Sequence, residues 1–256
     1  MLLCVQPRGE MVDPEAIQVC SICGGSGWEP VESKGVKQCS CRRESRNKVL
    51  LGRARIPPRY QRCSLDNFEN TCPSVQRALM VSRKYVDEYP NIDVGLLLIG
   101  TCGVGKTHLA AGILTALINN KGIPSLFYDF RDLLKEIQDS YNPTTHTSEL
   151  RILAPVFDAE VLVLDELGAN KPTEWVQETI THIITKRYNE GKATIFTTNY
   201  QDYALAGSQY SETLTDRIGI RLRSRLREMC RLVLIEGEDF RERIRDRRGS
   251  RFVSEP

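Results

Sequence analysis

The sequence predicts an α/β fold: a mostly parallel sheet covered by helices on both faces, preceded by a small cysteine-rich module. Three observations carry that expectation. From Val94 onward, short apolar runs alternate with amphipathic stretches of helical period, the pattern of strands buried on both faces and joined by crossover helices. Four of the nine cysteines crowd between Cys20 and Cys41, while the others are scattered. The 256 residues suffice for one full α/β domain and one small module, at about 150 residues per domain.

Taken in order, Cys20-Ser21-Ile22-Cys23 and Cys39-Ser40-Cys41 bracket fifteen residues that include Gly24-Gly25-Ser26-Gly27-Trp28. An odd cysteine count with one tight cluster argues for a metal site over a disulfide framework. Two cysteine pairs beside a glycine-rich knuckle suit a closed tetrahedral Zn²⁺ site, because small residues let the backbone turn tightly around the thiolates. An iron–sulfur cluster or free redox thiols are the alternatives. With so few apolar residues, the module would take its stability from the metal. Cys4, Cys63, Cys72 and Cys230 read as spacers or core residues.

Arg42 to Ala54 reads as a polar helix or linker that stops before Ile56-Pro57-Pro58. Ser74 to Tyr89 carries Val75, Leu79, Val81, Tyr85 and Val86 at helical spacing and turns at Pro90-Asn91. Strands are then expected at Val94–Gly100, Ser125–Phe130, Val161–Leu164, Ala193–Thr197 and Arg231–Ile235. Helices are expected at Lys106–Asn120, Arg131–Ser140, Glu174–Asn189 and around Arg217–Arg227. The resulting plan is a zinc-binding module over 1–45, a basic linker over 46–63 and the α/β domain over 64–256.

Composition excludes other classes. Hydrophobic residues at 41% and charged residues at 27% argue against wholesale disorder and against a fibrous chain. No apolar run approaches the ~20 residues a bilayer requires, and the N-terminus reaches Arg8 and Glu10 before any signal-like core forms. The expectation is a cytoplasmic protein. The net charge of +2 hides a segregation: eight basic residues against Glu44 alone from Arg42 to Arg62, and twelve arginines against six acids from Arg217 to Arg251. Between them, Ser64 to Asp216 holds twelve basic residues and twenty acids. Basic flanks of this kind suit nucleic acid or acidic partners, or a solvated surface with internally paired arginines.

Gly100-Thr101-Cys102-Gly103-Val104-Gly105-Lys106-Thr107 fits G-x-x-x-x-G-K-[ST] and lies between an expected strand and an expected helix. Such a loop wraps a phosphate with backbone N–H groups. Lys106 then reaches the β/γ-phosphates, the Thr107 hydroxyl ligates Mg²⁺, and His108 is counted with the nucleotide-binding stretch. His108, His146 and His182 show no spacing of a ligand set or catalytic pair. Val161-Leu162-Val163-Leu164-Asp165-Glu166 is a buried strand ending in two carboxylates: Asp165 for the Mg²⁺ shell, Glu166 to orient or deprotonate an attacking water. The strand Ala193–Thr197 ends at Thr198-Asn199, where a polar side chain could hold the γ-phosphate or the water.

These elements in this order, followed by Arg221-Leu222-Arg223-Ser224-Arg225-Leu226, resemble the AAA+ ATPases, and more narrowly the DnaC/DnaI helicase-loader group with its IstB-like relatives. The resemblance runs from about Ile56 to Ile235. Its marks are Ile56-Pro57-Pro58-Arg59-Tyr60, Cys63-Ser64-Leu65-Asp66-Asn67-Phe68, Gly103 to Ala111, Leu164-Asp165-Glu166-Leu167-Gly168 and Arg221 to Leu226. It implies a P-loop AAA+ core and ATP hydrolysis with Mg²⁺. Asn199 would be the first sensor, Arg225 the arginine finger completing a neighbour's site, and Arg221 a second phosphate-facing candidate. About twenty residues follow Ile235, too few for the usual C-terminal helical lid. An arginine taken from a neighbour makes the site complete only in a homo-oligomer, so an isolated monomer should hydrolyse ATP weakly.

The implied partners are a replicative helicase of the DnaB type and single-stranded DNA. The zinc module would contact the helicase, although its residues alone equally suit DNA, given the basic segment after it. Between Arg131 and Ala159, two helical stretches flank Tyr141-Asn142-Pro143-Thr144-Thr145. There the resemblance implies an inserted element facing single strands, with Lys135, Tyr141 and Arg151 as candidate contacts. The alternative functions are an IstB-like ATPase assisting a transposase, and a zinc-dependent DNA-binding adaptor that binds ATP with little turnover.

Overall fold

The computed structural model describes residues 20–31, 35–69, 71–92, 94–142, 144, 148–202 and 212–243. The chain divides into two compact units, one ending at Arg46 and one starting at Asn47.

In the first unit, β1 (Trp28–Val31) and β2 (Gly35–Gln38) form an antiparallel hairpin with Trp28 opposite Gln38. Ahead of it the backbone turns back on itself, with Gly24 N donating to Cys20 O at 2.9 Å. Helix α1 (Ser40–Arg53) begins directly after Cys39, and Arg42 lies over the Trp28 ring at 5.1 Å, a cation–π contact.

The second unit is built on five parallel strands: β3 (Gly95–Gly100), β4 (Ser125–Asp129), β5 (Val161–Asp165), β6 (Ala193–Thr198) and β7 (Cys230–Ile235), in the order β4-β5-β6-β3-β7. All six residues of β3 are buried. Alternate side chains of β3 to β6 serve opposite cores. Leu96, Leu98, Val163 and Ile195 pack with α2 (Pro73–Glu88) and α3 (Lys106–Ala116). Leu97, Ile99, Leu162, Leu164 and Phe196 pack with α4 (Phe130–Ser140), α5 (Glu149–Asp158), α6 (Glu174–Asn189), α7 (Leu214–Ile218) and α8 (Ile220–Met229). The two-period of a strand thus turns one apolar run into two cores. No described helix is long and apolar enough to cross a membrane.

Within 46–63, Ala54 and Ile56 are buried in the α2/α3 core, and Ala54 O accepts from Phe127 N at 2.8 Å, covering the edge strand β4. Two expectations are corrected in detail. The helix after Lys106 ends at Ala116 and continues as one π turn over Leu117–Lys121. The helix expected around Arg217–Arg227 is two, α7 and α8, broken at Gly219, whose φ of 83° no helix accepts.

Candidate functional site

The strand order brings the C-terminal ends of β5, β6 and β3 side by side, the edge where parallel sheets bind ligands. There β3 delivers the loop Gly100 to Gly105, β5 delivers Asp165 and Glu166, and β6 delivers Thr197, Thr198 and Asn199. The loop turns into α3 at Gly105, where φ is 95° and a Cβ would meet the Phe68 ring at 2.6 Å. Only glycine fits that turn and that contact.

Lys106 is buried, and its Nζ donates to Gly100 O at 2.9 Å and Thr101 O at 2.6 Å. Burial lowers its pKa, opposed by the nearby Cys102, Asp165 and Glu166. The Thr107 hydroxyl donates to the Asp165 carboxylate, 3.0 and 3.1 Å from its two oxygens. Burial pushes the Asp165 carboxyl up to about 6, against hydrogen bonds from Thr197 and Thr107 that favour the charged form. A hydroxyl paired with a carboxylate at the loop is the donor set Mg²⁺ takes beside a phosphate.

Glu166 has a left-handed backbone, φ 58°. Its N–H donates to Thr197 Oγ1 at 3.0 Å, and its carboxylate pairs with Arg131 at 2.9 Å. The same Thr197 hydroxyl donates to Asp165 Oδ1 at 2.5 Å. Thr197 therefore holds both acids, a role that its place along the chain does not mark.

Glu166, Thr197 and Asn199 line a cavity of about 340 Å³ together with Cys102 to His108, a volume within the range of ligand sites. Its other walls come from far apart in the chain: Arg59, Tyr60, Cys63, Phe68 and Val75 before the loop, and Glu238, Phe240 and Arg241 after β7. Sequence reasoning missed all of these as site residues. Residues 236–243 cross the loop. Phe240 N donates to Gly103 O at 3.2 Å, the Asp239 carboxylate stands where a Gly103 Cβ would be, and Arg243 pairs with Glu69 at 3.1 Å.

Arg221 and Arg225 do not line this cavity. Arg221 is exposed, and Arg225 Nη1 donates to Thr185 Oγ1 on α6 at 2.9 Å. Lys135 and Arg151 are exposed. Tyr141 is exposed as well, donating to Glu149 at 3.3 Å and meeting Trp175 edge-on at 6.5 Å.

In the first unit, the Sγ atoms of Cys20, Cys23, Cys39 and Cys41 all lie within 4.8 Å of one another, with Cys20–Cys39 at 3.8 Å and Cys23–Cys41 at 3.5 Å. A tetrahedral zinc with Zn–S bonds of about 2.3 Å needs sulfurs about 3.8 Å apart, so these thiols fit the ion. Gly27 N–H donates to Cys23 Sγ at 3.3 Å and lowers that thiol to about 6, while hydrogen bonding with the neighbouring thiols, Cys23 first, raises Cys41 to about 12.

Residues 35–248 match the family described as IstB-like ATP binding protein. The replicative helicase loader DnaC of Escherichia coli (strain K12) is 26% identical over 221 residues, 85% of each chain. Among solved structures, the DnaC helicase loader is 38% identical with a TM-score of 0.59, covering 70% of this chain and 99% of that one. DnaI is 25% identical with a TM-score of 0.59, covering 71% and 95%. The core described above is the P-loop AAA+ fold of these neighbours. Because the matched span takes in the phosphate loop, the paired acids and the polar end of β6, the chain belongs to the IstB-like ATP-binding proteins and is homologous to the DnaC and DnaI loaders.

Proposed function

We propose that this protein is an ATP-dependent helicase loader, which binds a replicative helicase of the DnaB type in the cytoplasm and remodels it on single-stranded DNA, with ATP hydrolysis as the switch. The observation that carries this reading is the joint arrangement of loop and acids, Thr107 on Asp165 and Thr197 on both Asp165 and Glu166, in a chain 38% identical to a DnaC helicase loader. Lys106 and the loop N–H groups hold the phosphates. Thr107 and Asp165 hold Mg²⁺, which neutralises phosphate charge when bound. Glu166 takes the proton of the attacking water, and Asn199 orients that water or the γ-phosphate.

Arg225 and Arg221 lie outside the cavity of their own chain, which supports a role for Arg225 as the finger of a neighbouring subunit in an ATP-state homo-oligomer. Turnover by an isolated monomer is then weak. The first unit serves as a zinc module, its four thiolates fixing the hairpin and the start of α1 for contact with the helicase.

The test is mass photometry of the full chain mixed with its host's replicative helicase, in ATP and in ADP, with Lys106→Ala as control. A complex that changes with nucleotide in the native protein and not in the variant supports the loader. No complex in either nucleotide removes the helicase as client and moves the search to the transposases of an IstB-type ATPase.

A further inference from the structure

His108, one residue beyond the magnesium-side Thr107, spans from the phosphate-loop helix to the other side of the cavity. Its Nε2 lies 3.0 Å from the Ser64 carbonyl oxygen and 2.9 Å from Asn67 Oδ1. Both are acceptors, so Nε2 carries the proton and donates to the two together. The amide orientation of Asn67 is fixed independently: Oδ1 accepts from Ser64 N at 2.9 Å, and Nδ2 donates to Arg62 O at 2.7 Å. Asn67 N donates in turn to Ser64 Oγ at 3.1 Å. The turn Ser64 to Asn67 is therefore closed on itself, and its Asn67 end is tied to α3 by the His108 imidazole.

Phe68, the next residue, meets the His108 ring edge-on at 5.1 Å and 74°, and its far edge lies over Gly105. Asn67, Phe68 and His108 all face the same cavity as the phosphate loop. The turn has further attachments: Leu65 is buried in the α2/α3 core, against which Phe68 also packs, and Arg83 on α2 donates to Leu65 O and pairs with Asp66, both at 3.2 Å. Losing His108 would therefore leave the turn attached at Leu65 and Asp66 and remove the tie that sets Asn67, with Phe68 beside it, against α3.

We propose that His108 is a positioning residue for the nucleoside: it sets the Ser64–Phe68 wall at the distance from the phosphate loop where the base and ribose of a bound nucleotide fit. The phosphates are held by residues 100–107 wherever that wall stands. The nucleoside, joined to those phosphates at a fixed distance, is held only if the wall stands in register. This rests on the ATP-binding assignment and adds to it a division of labour: one helix turn fixes phosphate through Lys106 and Thr107, and nucleoside through His108.

The experiment compares ATP with inorganic tripolyphosphate, which carries the phosphates and no nucleoside, as competitors for a fluorescent ADP analogue on the full-length protein. Two neutral hydrogen bonds are removed by His108→Ala, and the expected loss is about tenfold in ATP affinity with tripolyphosphate within about twofold. His108→Gln, whose amide N–H reaches the place of Nε2–H, recovers most of the ATP affinity. Asn67→Ala, at an exposed position, removes one of the two acceptors from the opposite end and reproduces the selective loss in part even if His108→Ala fails to fold. Parallel losses of ATP and tripolyphosphate, or unchanged ATP binding in a folded variant, overturn the assignment of His108 alone. A wild-type protein that binds no adenine nucleotide overturns the ATP-binding assignment and this one with it.

Discussion

Thr197→Val is the substitution that most directly tests whether the two acids act as one unit. Valine keeps the shape and suits the strand, so β6 and its pairing with β5 and β3 should persist. What disappears is one buried hydroxyl, which donates to Asp165 Oδ1 at 2.5 Å and accepts from Glu166 N at 3.0 Å. The bond to a carboxylate is worth about 1.5–3 kcal/mol, and an orphaned buried N–H costs about 1–3 kcal/mol. The Glu166 backbone at φ 58° also costs about 1–2 kcal/mol relative to a right-handed conformation, which its lost hydrogen bond no longer helps to offset. Part of this is returned by relaxation of Glu166, so the expected destabilisation is about 2–3 kcal/mol by chemical denaturation. The functional effect should be larger than the binding effect. With Glu166 as the proposed general base, its misplacement forfeits a share of the roughly 10²–10⁴-fold such a group contributes, so kcat is expected to fall about 100-fold. ATP affinity, set by the loop and Lys106, stays within about threefold. Phosphate release measured with the assembled client complex, beside equilibrium nucleotide binding, separates the two. A folded Thr197→Val protein with wild-type kcat would refute the reasoning, because Glu166 would then hold its position without the hydroxyl.

Two further expectations follow from the geometry. Purified protein should carry one zinc per chain by metal analysis; Cys41→Ser should lower that occupancy and, in circular dichroism, cost the β1–β2 hairpin while leaving the parallel sheet intact, and full occupancy in the variant would count against a four-cysteine site. Asp202 accepts from Arg223 and Arg227 on α8, and these partners, Arg223 first, hold its carboxyl below the usual range. The unfolded chain then takes up the proton first as pH falls, so this stabilisation is present above about pH 4 and is lost on further acidification through the lowered folded pKa. Asp202→Asn should flatten the stability profile in that window, and an unchanged slope would mean that the arginines are not coupled to it.

What could be read in the sequence was whatever a contiguous run of residues encodes. The phosphate loop is eight consecutive residues whose chemistry depends on their own backbone, and the acids end a strand whose burial is written in four apolar residues before them. The cysteine cluster was equally legible, since ligand spacing along the chain bounds the distances in space. The hairpin inside it was not: its strands are four residues each, one contains Pro30, and β2 is exposed throughout, so neither sequence carries a run of alternating apolar residues. Gly219 ends α7 through its backbone angle, and a glycine inside an arginine-rich helical run gives no sign of which conformation it will adopt.

The rest of the site depends on strand order, which no local pattern carries. Alternating strands and helices predict parallel pairing, but only the order β5-β6-β3 puts Thr197 between the acids and the phosphate loop. Read along the chain, Thr197 is an ordinary β-former. The same holds for Arg187, on α6. It is fully buried, donating to Thr194 Oγ1 at 2.9 Å and to the carbonyls of Val156, Ala159 and Ala193 at 2.7, 2.9 and 2.6 Å. Desolvation lowers its pKa to about 10, so it remains charged at neutral pH and acts as a cationic clamp joining the end of α5 to the start of β6. That clamp sits at the N-terminal end of β6, and Thr197 and Asn199 at the other. One strand, held in register by its ladders with β5 and β3, is therefore anchored at its rear by a buried guanidinium and presents at its front the hydroxyl that holds Asp165 and Glu166.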